Sequence, residues 1–191
     1  IVTFDGEVFH QENGIGLVAD VFTPSRLSRL KGSFGIGHNR YSTTGDSISE
    51  NVQPLMVRGA HGTVAMAHNG NLVNADLLRE ELELKGAVFQ STVDSEVILH
   101  LLAHSSVSQK QPDLYASDHL LPVLPSQSMN PLLSDPLIQR IIGALSRVRG
   151  AYSLLFMKEA GLIAVRDPHG VRPLLLRRYK EGYVVASESC V

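Results

Sequence analysis

One arginine in this 191-residue sequence lies among hydroxyl groups and glycines, at a point where a strand should end. The segment is GHNRYSTTG, residues 37–45, and the arginine is Arg40. A guanidinium group can bind a carboxylate through two parallel hydrogen bonds, and neighbouring threonine hydroxyls could complete such a site. The alternative is an arginine in a surface turn, and this segment taken alone favours that alternative.

A second segment with possible chemistry is HNGN, residues 68–71, which we predict to end a strand of small residues, GTVAMAHNG. The side-chain amide of Asn69 could lie beside the backbone N–H of Gly70. Two converging donors form an oxyanion hole, provided that the glycine lets the backbone approach closely. A simple Asn-Gly turn is the alternative, and it is also favoured when the segment is taken alone.

The third segment, STVDSE at residues 91–96, leads into a predicted helix. Thr92 or Asp94 is well suited to the N-terminus of that helix, because a hydroxyl or carboxylate accepts the free N–H groups there. Asp94 could instead bind the ammonium group of a ligand. A further segment, DPHG at residues 167–170 between Arg166 and Arg172, is predicted to connect two strands, although its charges could also pack against a partner domain.

Hydrophobic periodicity predicts the elements that position these segments. Residues 1–23 predict two short strands, with turns at Asp5-Gly6 and at residues 14–16, and strand-like pieces follow between residues 33 and 66. Three helices and a final meander of four strands, AYSLLFM, GLIAVRD, PLLLRRY and YVVASES, come next. The first predicted helix is capped by Asn74, ends at Gly86 and contains Leu77, Leu78 and Leu82. The second contains Val97, Ile98, Leu101 and Leu102 at helical spacing. The third starts at Asp135-Pro136, ends near Gly150 and has an apolar face of Leu137, Ile138, Ile141, Ile142 and Leu145.

Residues 105–136 hold five of the nine prolines, many serines and no glycine, which predicts a loop insertion. Strands at both ends of the chain with helices between them predict an α+β fold in layers. A length of 191 residues with 43% hydrophobic residues is within the range of one domain, residues 1–191.

Composition narrows the classes of partner. The formal net charge is −2 and there is no run of Lys or Arg, which argues against a nucleic-acid or anionic-membrane interface. No apolar run approaches the ~20 residues that a membrane helix needs. Cys190 is the only cysteine, which excludes an internal disulfide and a cysteine-rich metal site and suits a reducing compartment. We therefore expect a cytoplasmic protein that binds small molecules or other proteins, with a plastid location left open.

Taken together and in this order, the segments GIGHNRYSTTG, AHNGNLVN, DSEV, GAYSLLFM, AVRDPHGVRPL and ASESC resemble class II glutamine amidotransferase domains, in particular those of the amidophosphoribosyltransferase family. The resemblance implies a four-layer αββα sandwich of the N-terminal-nucleophile hydrolase type. It also implies that an N-terminal cysteine attacks the carboxamide of glutamine, with its own α-amine as the base. A free α-amine has an ordinary pKa of ~7.7 to 8.0, which suits that role.

The resemblance also implies roles for particular residues. Arg40 would hold the α-carboxylate of glutamine with help from Thr43 and Thr44, and Tyr41 would shape the pocket. The remaining roles fall on three residues elsewhere in the chain. Asn69 and Gly70 would form the oxyanion hole, Gly70 would also contact the substrate, and Asp94 would hold the α-ammonium group.

In the family, the nucleophilic cysteine, a first strand and a helix precede the segment that matches Ile1 to Phe4. We therefore expect a partial domain that is inactive alone, since Cys190 lies in a late strand segment and has no free α-amine. A glutamine-binding domain without a nucleophile is the alternative. The resemblance assigns no cofactor to this chain. It implies a phosphoribosyltransferase domain absent from these residues, with Mg²⁺, phosphoribosyl pyrophosphate and, in some members, an iron-sulfur cluster. That enzyme would be a homo-oligomer that makes phosphoribosylamine, in the first committed step of purine synthesis.

Overall fold

The computed structural model describes residues 1–40, 49–60, 62–104 and 135–188, which fall into two compact units. The first unit comprises Ile1–Asn71, Phe89–Val93 and Ala151–Val191, and the second comprises Leu72–Val88 and Asp94–Gly150. The first unit carries the β-sheets, and the second carries the three longest helices of the described ranges. The mixture of helices with antiparallel sheets agrees with the predicted α+β class.

The first unit begins with a three-stranded antiparallel sheet of β1 (Val2–Phe4), β2 (Phe9–Gln11) and β3 (Phe34–Ile36), in the order β2-β1-β3. The hairpin predicted at Asp5-Gly6 is confirmed. It is held by the carboxylate of Asp5, which accepts the backbone N–H groups of Glu7 and Val8, each at 2.9 Å.

Two one-turn helices, α1 (Val18–Val21) and α2 (Pro24–Leu27), lie between β2 and β3. Periodicity did not predict them, because a single turn is too short to show a helical repeat. Within these two helices only Val21 is buried. The proline at the first turn of α2 suits a helix start, since it has no N–H group to leave unsatisfied.

A four-stranded sheet follows in the same unit, in the order β4-β5-β6-β7. Its strands are β4 (Leu55–Gly59), β5 (Gly62–Leu72), β6 (Gly150–Lys158) and β7 (Gly161–Arg166). Buried apolar side chains from both sheets form one cluster, so the two sheets of this unit share a core. The buried members of the cluster are Val2, Phe4, Ile36, Ala65, Ala67 and Met157.

The polar turn predicted after the small-residue strand is wrong, because β5 continues to Leu72. Asn69 and Gly70 therefore lie inside a strand rather than beyond its end. The reason is tertiary: β5 is hydrogen-bonded to β6 in the sheet, and Gly70 lies against the backbone of Ala151. An Asn-Gly pair forms a tight turn only where no neighbouring strand holds it extended.

The last four predicted strands are confirmed, but they do not form one continuous meander. The strands β6 and β7 belong to the four-stranded sheet, whereas β8 (Leu175–Tyr179) and β9 (Gly182–Ala186) form a separate antiparallel pair. Residues 167–174 connect the two sheets. This connection separates β6 and β7 from β8 and β9, and it is built around the buried carboxylate of Asp167.

The second unit contains α3 (Ala75–Leu84), α4 (Glu96–His104) and α5 (Pro136–Leu145). The apolar face predicted for α4 is buried, as expected. The predicted cap of α5 is also confirmed: one carboxylate oxygen of Asp135 accepts the N–H groups of Leu137 at 2.7 Å and Ile138 at 3.2 Å. This helix ends at Leu145, several residues before the predicted end near Gly150, where β6 begins.

One expectation for α3 is wrong, although the helix itself is confirmed. Asn74 lies at the N-cap position, but its side chain makes no cap hydrogen bond. Its amide group donates to the carbonyl of Arg147 at 2.9 Å and accepts the N–H of Arg149 at 2.8 Å. Of the three leucines that predicted this helix, Leu77 has 71% of its surface exposed. The other two, Leu78 and Leu82, are buried.

No helix within the described ranges is long and apolar enough to cross a membrane. The predicted loop insertion falls almost entirely on residues 105–134, which lie outside the described residues.

Candidate active site

A cavity of about 260 Å³ lies in the first unit. Five segments form its wall: the residues after β3, the middle of β5, two positions on β6, the residue before β8, and the end of β9 with the residues that follow. The lining is mixed, with imidazole, amide and hydroxyl groups beside small and branched apolar side chains. The lining residues are Gly37, His38, Asn39, Ala67, His68, Asn69, Ser153, Leu155, Leu174, Val185, Ala186, Ser187 and Glu188.

Asn69 lies on β5 with its side chain partly buried in the wall of this cavity. Its amide nitrogen donates a hydrogen bond to the hydroxyl of Ser187, at 2.9 Å. Ser187 was not among the site residues predicted from the sequence. The ASESC segment was part of the family resemblance, but a contact between residues 118 positions apart leaves no signal in spacing.

Gly70 follows Asn69 on β5, and the structure requires a glycine at this position. Its φ is 156°, and a Cβ atom placed here would lie 2.0 Å from the carbonyl oxygen of Ala151 and 2.8 Å from Nε2 of His68. Backbone atoms cannot move away from such a contact at small cost. Gly70 therefore lets β5 approach the carbonyl of Ala151 on β6 closely.

Two histidines that the sequence analysis did not assign also line the cavity. His68 is buried, and its backbone N–H donates to the buried side-chain oxygen of Gln53 at 2.8 Å. Burial, together with the neighbouring His68 and Arg40, lowers the pKa of His38 to about 4. His38 is therefore neutral at neutral pH, so its ring does not compete with Arg40 for an anion.

Arg40 is exposed and follows Asn39, which lines the cavity. The strand β3 ends at Ile36, so Arg40 lies beyond a strand end, as predicted. The residues expected to assist it, Tyr41, Thr43 and Thr44, lie outside the described residues.

Asp94 belongs to the second unit, whereas Arg40, Asn69 and Gly70 belong to the first. The Asp94 side chain is partly buried, and its Oδ2 accepts the backbone N–H of Leu72 at 2.8 Å. The helix that follows, α4, starts at Glu96. Asp94 thus ties the end of β5 to the segment before α4, an arrangement that neither the cap nor the ligand interpretation had included.

The DPHG segment is a strand connection, as predicted, and Asp167 organises it. This carboxylate is only 3% exposed. Burial acts to raise the pKa of Asp167, but hydrogen bonds from backbone N–H groups outweigh burial and hold the pKa below its ordinary value. The donors are Tyr152 at 3.4 Å, His169 at 3.0 Å, Val171 at 3.1 Å and Arg172 at 3.3 Å.

The connection also shapes the cavity. Arg166 closes the loop from one side, donating to the carbonyls of Gly170 at 2.7 Å and Arg172 at 2.6 Å. Ser153, which lines the cavity, donates its hydroxyl to the carbonyl of Pro173 at 2.8 Å. The next residue, Leu174, is itself part of the cavity wall. Within the described ranges, no group of three or more His, Cys, Asp or Glu side chains could hold a metal ion.

Comparison with known proteins gives consistent results. The protein-family model described as a glutamine amidotransferase domain matches residues 38–115 of the sequence. Over its whole length the chain is 44% identical to the chloroplastic amidophosphoribosyltransferase of Vigna aconitifolia and covers 34% of that protein. It is likewise 44% identical to the amidophosphoribosyltransferase of Methanocaldococcus jannaschii, of which it covers 35%.

Solved structures give the same picture. The chain is similar to the glutamine phosphoribosylpyrophosphate amidotransferase of B. subtilis complexed with ADP and GMP, with a TM-score of 0.77 and 39% identity. That match covers 99% of this chain and 35% of the other. The chain thus spans about a third of the length of these relatives. The structural matches confirm the predicted fold class, the α+β fold of the N-terminal-nucleophile hydrolases. Because the similarity runs through the whole chain and holds in both sequence and fold, the chain corresponds to the glutamine amidotransferase region of the amidophosphoribosyltransferases.

Proposed function

We propose that this chain binds glutamine and releases its amide nitrogen as ammonia, as the glutaminase part of an amidophosphoribosyltransferase. The ammonia would react with phosphoribosyl pyrophosphate to give phosphoribosylamine for purine synthesis. The observation that carries the proposal is the pair Asn69-Gly70 on β5. It places a side-chain amide in the cavity wall next to a position that only glycine can occupy.

The chemistry follows from what each donor offers. A thiolate that attacks the carboxamide carbon of glutamine moves the carbonyl electrons onto oxygen. The amide N–H of Asn69 and the backbone N–H of Gly70 would donate to that oxygen, where the new negative charge appears. Collapse of the intermediate breaks the C–N bond, and the leaving nitrogen takes a proton to depart as ammonia. Water then hydrolyses the thioester to glutamate.

In this proposal, the two charged groups on the α-carbon of glutamine each bind a side chain of opposite charge. The guanidinium of Arg40, assisted by Thr43 and Thr44 and with Tyr41 shaping the pocket, binds the carboxylate. The carboxylate of Asp94 binds the ammonium group. The neutral state of His38 supports this assignment, since a neutral imidazole adds no second positive charge beside Arg40.

The transfer of ammonia to phosphoribosyl pyrophosphate would take place in the part of the relatives' sequences that lies outside this match. There we place the phosphoribosyltransferase domain, its Mg²⁺ and phosphoribosyl pyrophosphate, any iron-sulfur cluster and the subunit contacts of a homo-oligomer. Cys190, the single cysteine of the 191 residues, is not assigned the nucleophilic role. Assays therefore need a full-length enzyme that carries this sequence.

The test is Asn69→Ala in that full-length enzyme, assayed with glutamine and separately with ammonia. Loss of one oxyanion donor costs about 10² to 10³ in turnover, so kcat with glutamine should fall by that factor while KM changes little. Synthesis with ammonia should remain near the wild-type rate. The matched control is Asn13→Ala, because Asn13 is exposed and does not line the cavity. A large rise in KM with an unchanged kcat would remove Asn69 from the oxyanion hole.

A further inference from the structure

The side-chain amide of Asn69 is held by a residue from another part of the chain. Its nitrogen donates to the hydroxyl of Ser187, at 2.9 Å, and both residues line the same cavity. Ser187 follows directly after β9, which is paired with β8 in the register Leu175↔Ala186. The separate two-stranded sheet therefore fixes the place of this hydroxyl.

We propose that Ser187 is a positioning residue for the oxyanion hole: by accepting one amide hydrogen of Asn69, it directs the other into the cavity. This inference rests on the proposed function of Asn69. A primary amide has two N–H donors and one acceptor oxygen, and its terminal torsion is soft and nearly two-fold. Without a fixed partner, the amide could rotate and present its oxygen to the developing charge.

Charge and chemistry support the direction of this hydrogen bond. A serine hydroxyl can accept an N–H and still donate its own hydrogen elsewhere, so Ser187 can hold the nitrogen end of Asn69 without losing its own donor. The opposite orientation would place the amide oxygen towards the oxyanion, where it would repel the negative charge. Donors in an oxyanion hole are effective because they are already oriented when the charge appears.

The expected effect is smaller than the loss of Asn69 itself, because the amide remains present and spends part of its time correctly oriented. One neutral hydrogen bond corresponds to about a two-fold to ten-fold effect. Ser187→Ala should therefore lower kcat with glutamine by about that factor, with little change in KM. A role that is only structural would instead lower stability and affect the glutamine and ammonia reactions alike.

The experiment uses a pair of variants of equal shape, Ser187→Thr and Ser187→Val, in the full-length enzyme. Thr keeps the hydroxyl and should retain most of the wild-type kcat, whereas Val lacks it and should resemble Ser187→Ala. Thermal unfolding of each variant checks that it folds. The control is Ser146→Ala in the second unit, which removes an exposed hydroxyl that makes one hydrogen bond, to the carbonyl of Gly143 at 2.8 Å.

A double-mutant cycle completes the test. If Ser187 acts through Asn69, removing both side chains should lower kcat no further than Asn69→Ala alone. Additive losses, or equal kcat values for the Thr and Val variants, would overturn the role of Ser187. A normal kcat for Asn69→Ala would instead overturn the proposed oxyanion hole, so the two failures can be told apart.

Discussion

Replacing Asp94 by Asn tests whether this carboxylate binds the ammonium group of glutamine. The structure shows that Oδ2 of Asp94 accepts the backbone N–H of Leu72 at 2.8 Å. An amide oxygen can accept the same N–H, so the substitution can keep this contact while it removes the charge and replaces the other carboxylate oxygen by an NH₂ group. The change in shape is minimal, which makes Asn a sharper probe than Ala.

The expected magnitudes differ for stability and for activity. A hydrogen bond to a charged group contributes about 1 kcal/mol more than a neutral one, so the free energy of unfolding should fall by about that amount. A change of this size lowers Tm by about 2 to 4 °C in a domain of about 150 to 250 residues, so the decrease in the longer full-length enzyme should be smaller. Loss of a charge-assisted bond to the substrate ammonium, about 1.5 to 3 kcal/mol, should lower kcat/KM for glutamine about ten-fold to over a hundred-fold.

The assay measures kcat/KM with glutamine, the rate with ammonia, and thermal unfolding on one preparation of the full-length enzyme. Asp135→Asn is the matched control, because Asp135 caps α5 through two backbone N–H groups and Asn caps a helix about as well as Asp. That control should leave both kinetics and Tm nearly unchanged. If Asp94→Asn behaves like the control, the reasoning is refuted and Asp94 has only a structural role.

Three further predictions concern charge. Arg40→Lys should raise KM for glutamine and leave the ammonia reaction intact, because lysine keeps the charge but loses the planar fork; equal loss of both activities would make Arg40 structural. Asp167→Asn should lower the free energy of unfolding by about 3 kcal/mol or more, because an amide NH₂ would face two of the four backbone N–H donors. Chemical denaturation measures this change, and an unchanged denaturation midpoint would contradict it. Because the pKa of His38 is about 4, the unfolded chain binds a proton there between pH 6.5 and pH 4 that the folded chain does not. The free energy of unfolding should therefore fall with decreasing pH across that range, by at most about 3 kcal/mol from this group, and His38→Asn should flatten the profile.

Elements whose signals are local could be predicted from the sequence. Asp135-Pro136 predicted the start of α5, because a carboxylate and a proline act on the nearest N–H groups. The apolar face of α4 followed from residues three and four positions apart, and the Asp5-Gly6 hairpin from a two-residue signal. The order of the motifs was enough to indicate the family, since each motif is a contiguous segment.

Contacts between distant segments could not be predicted in this way, because they depend on how the chain packs. Asn74 has the residue type of a helix cap, but the neighbouring backbone of Arg147 and Arg149 takes its side chain. Gly70 lies in a strand rather than a turn because β6 approaches it, and the amide of Asn69 is fixed by a hydroxyl 118 residues away. Such pairings depend on which strands lie side by side, and spacing along the chain does not encode that. The motifs therefore identified which residues could act, while the packing of the sheets set the direction in which the Asn69 amide donates.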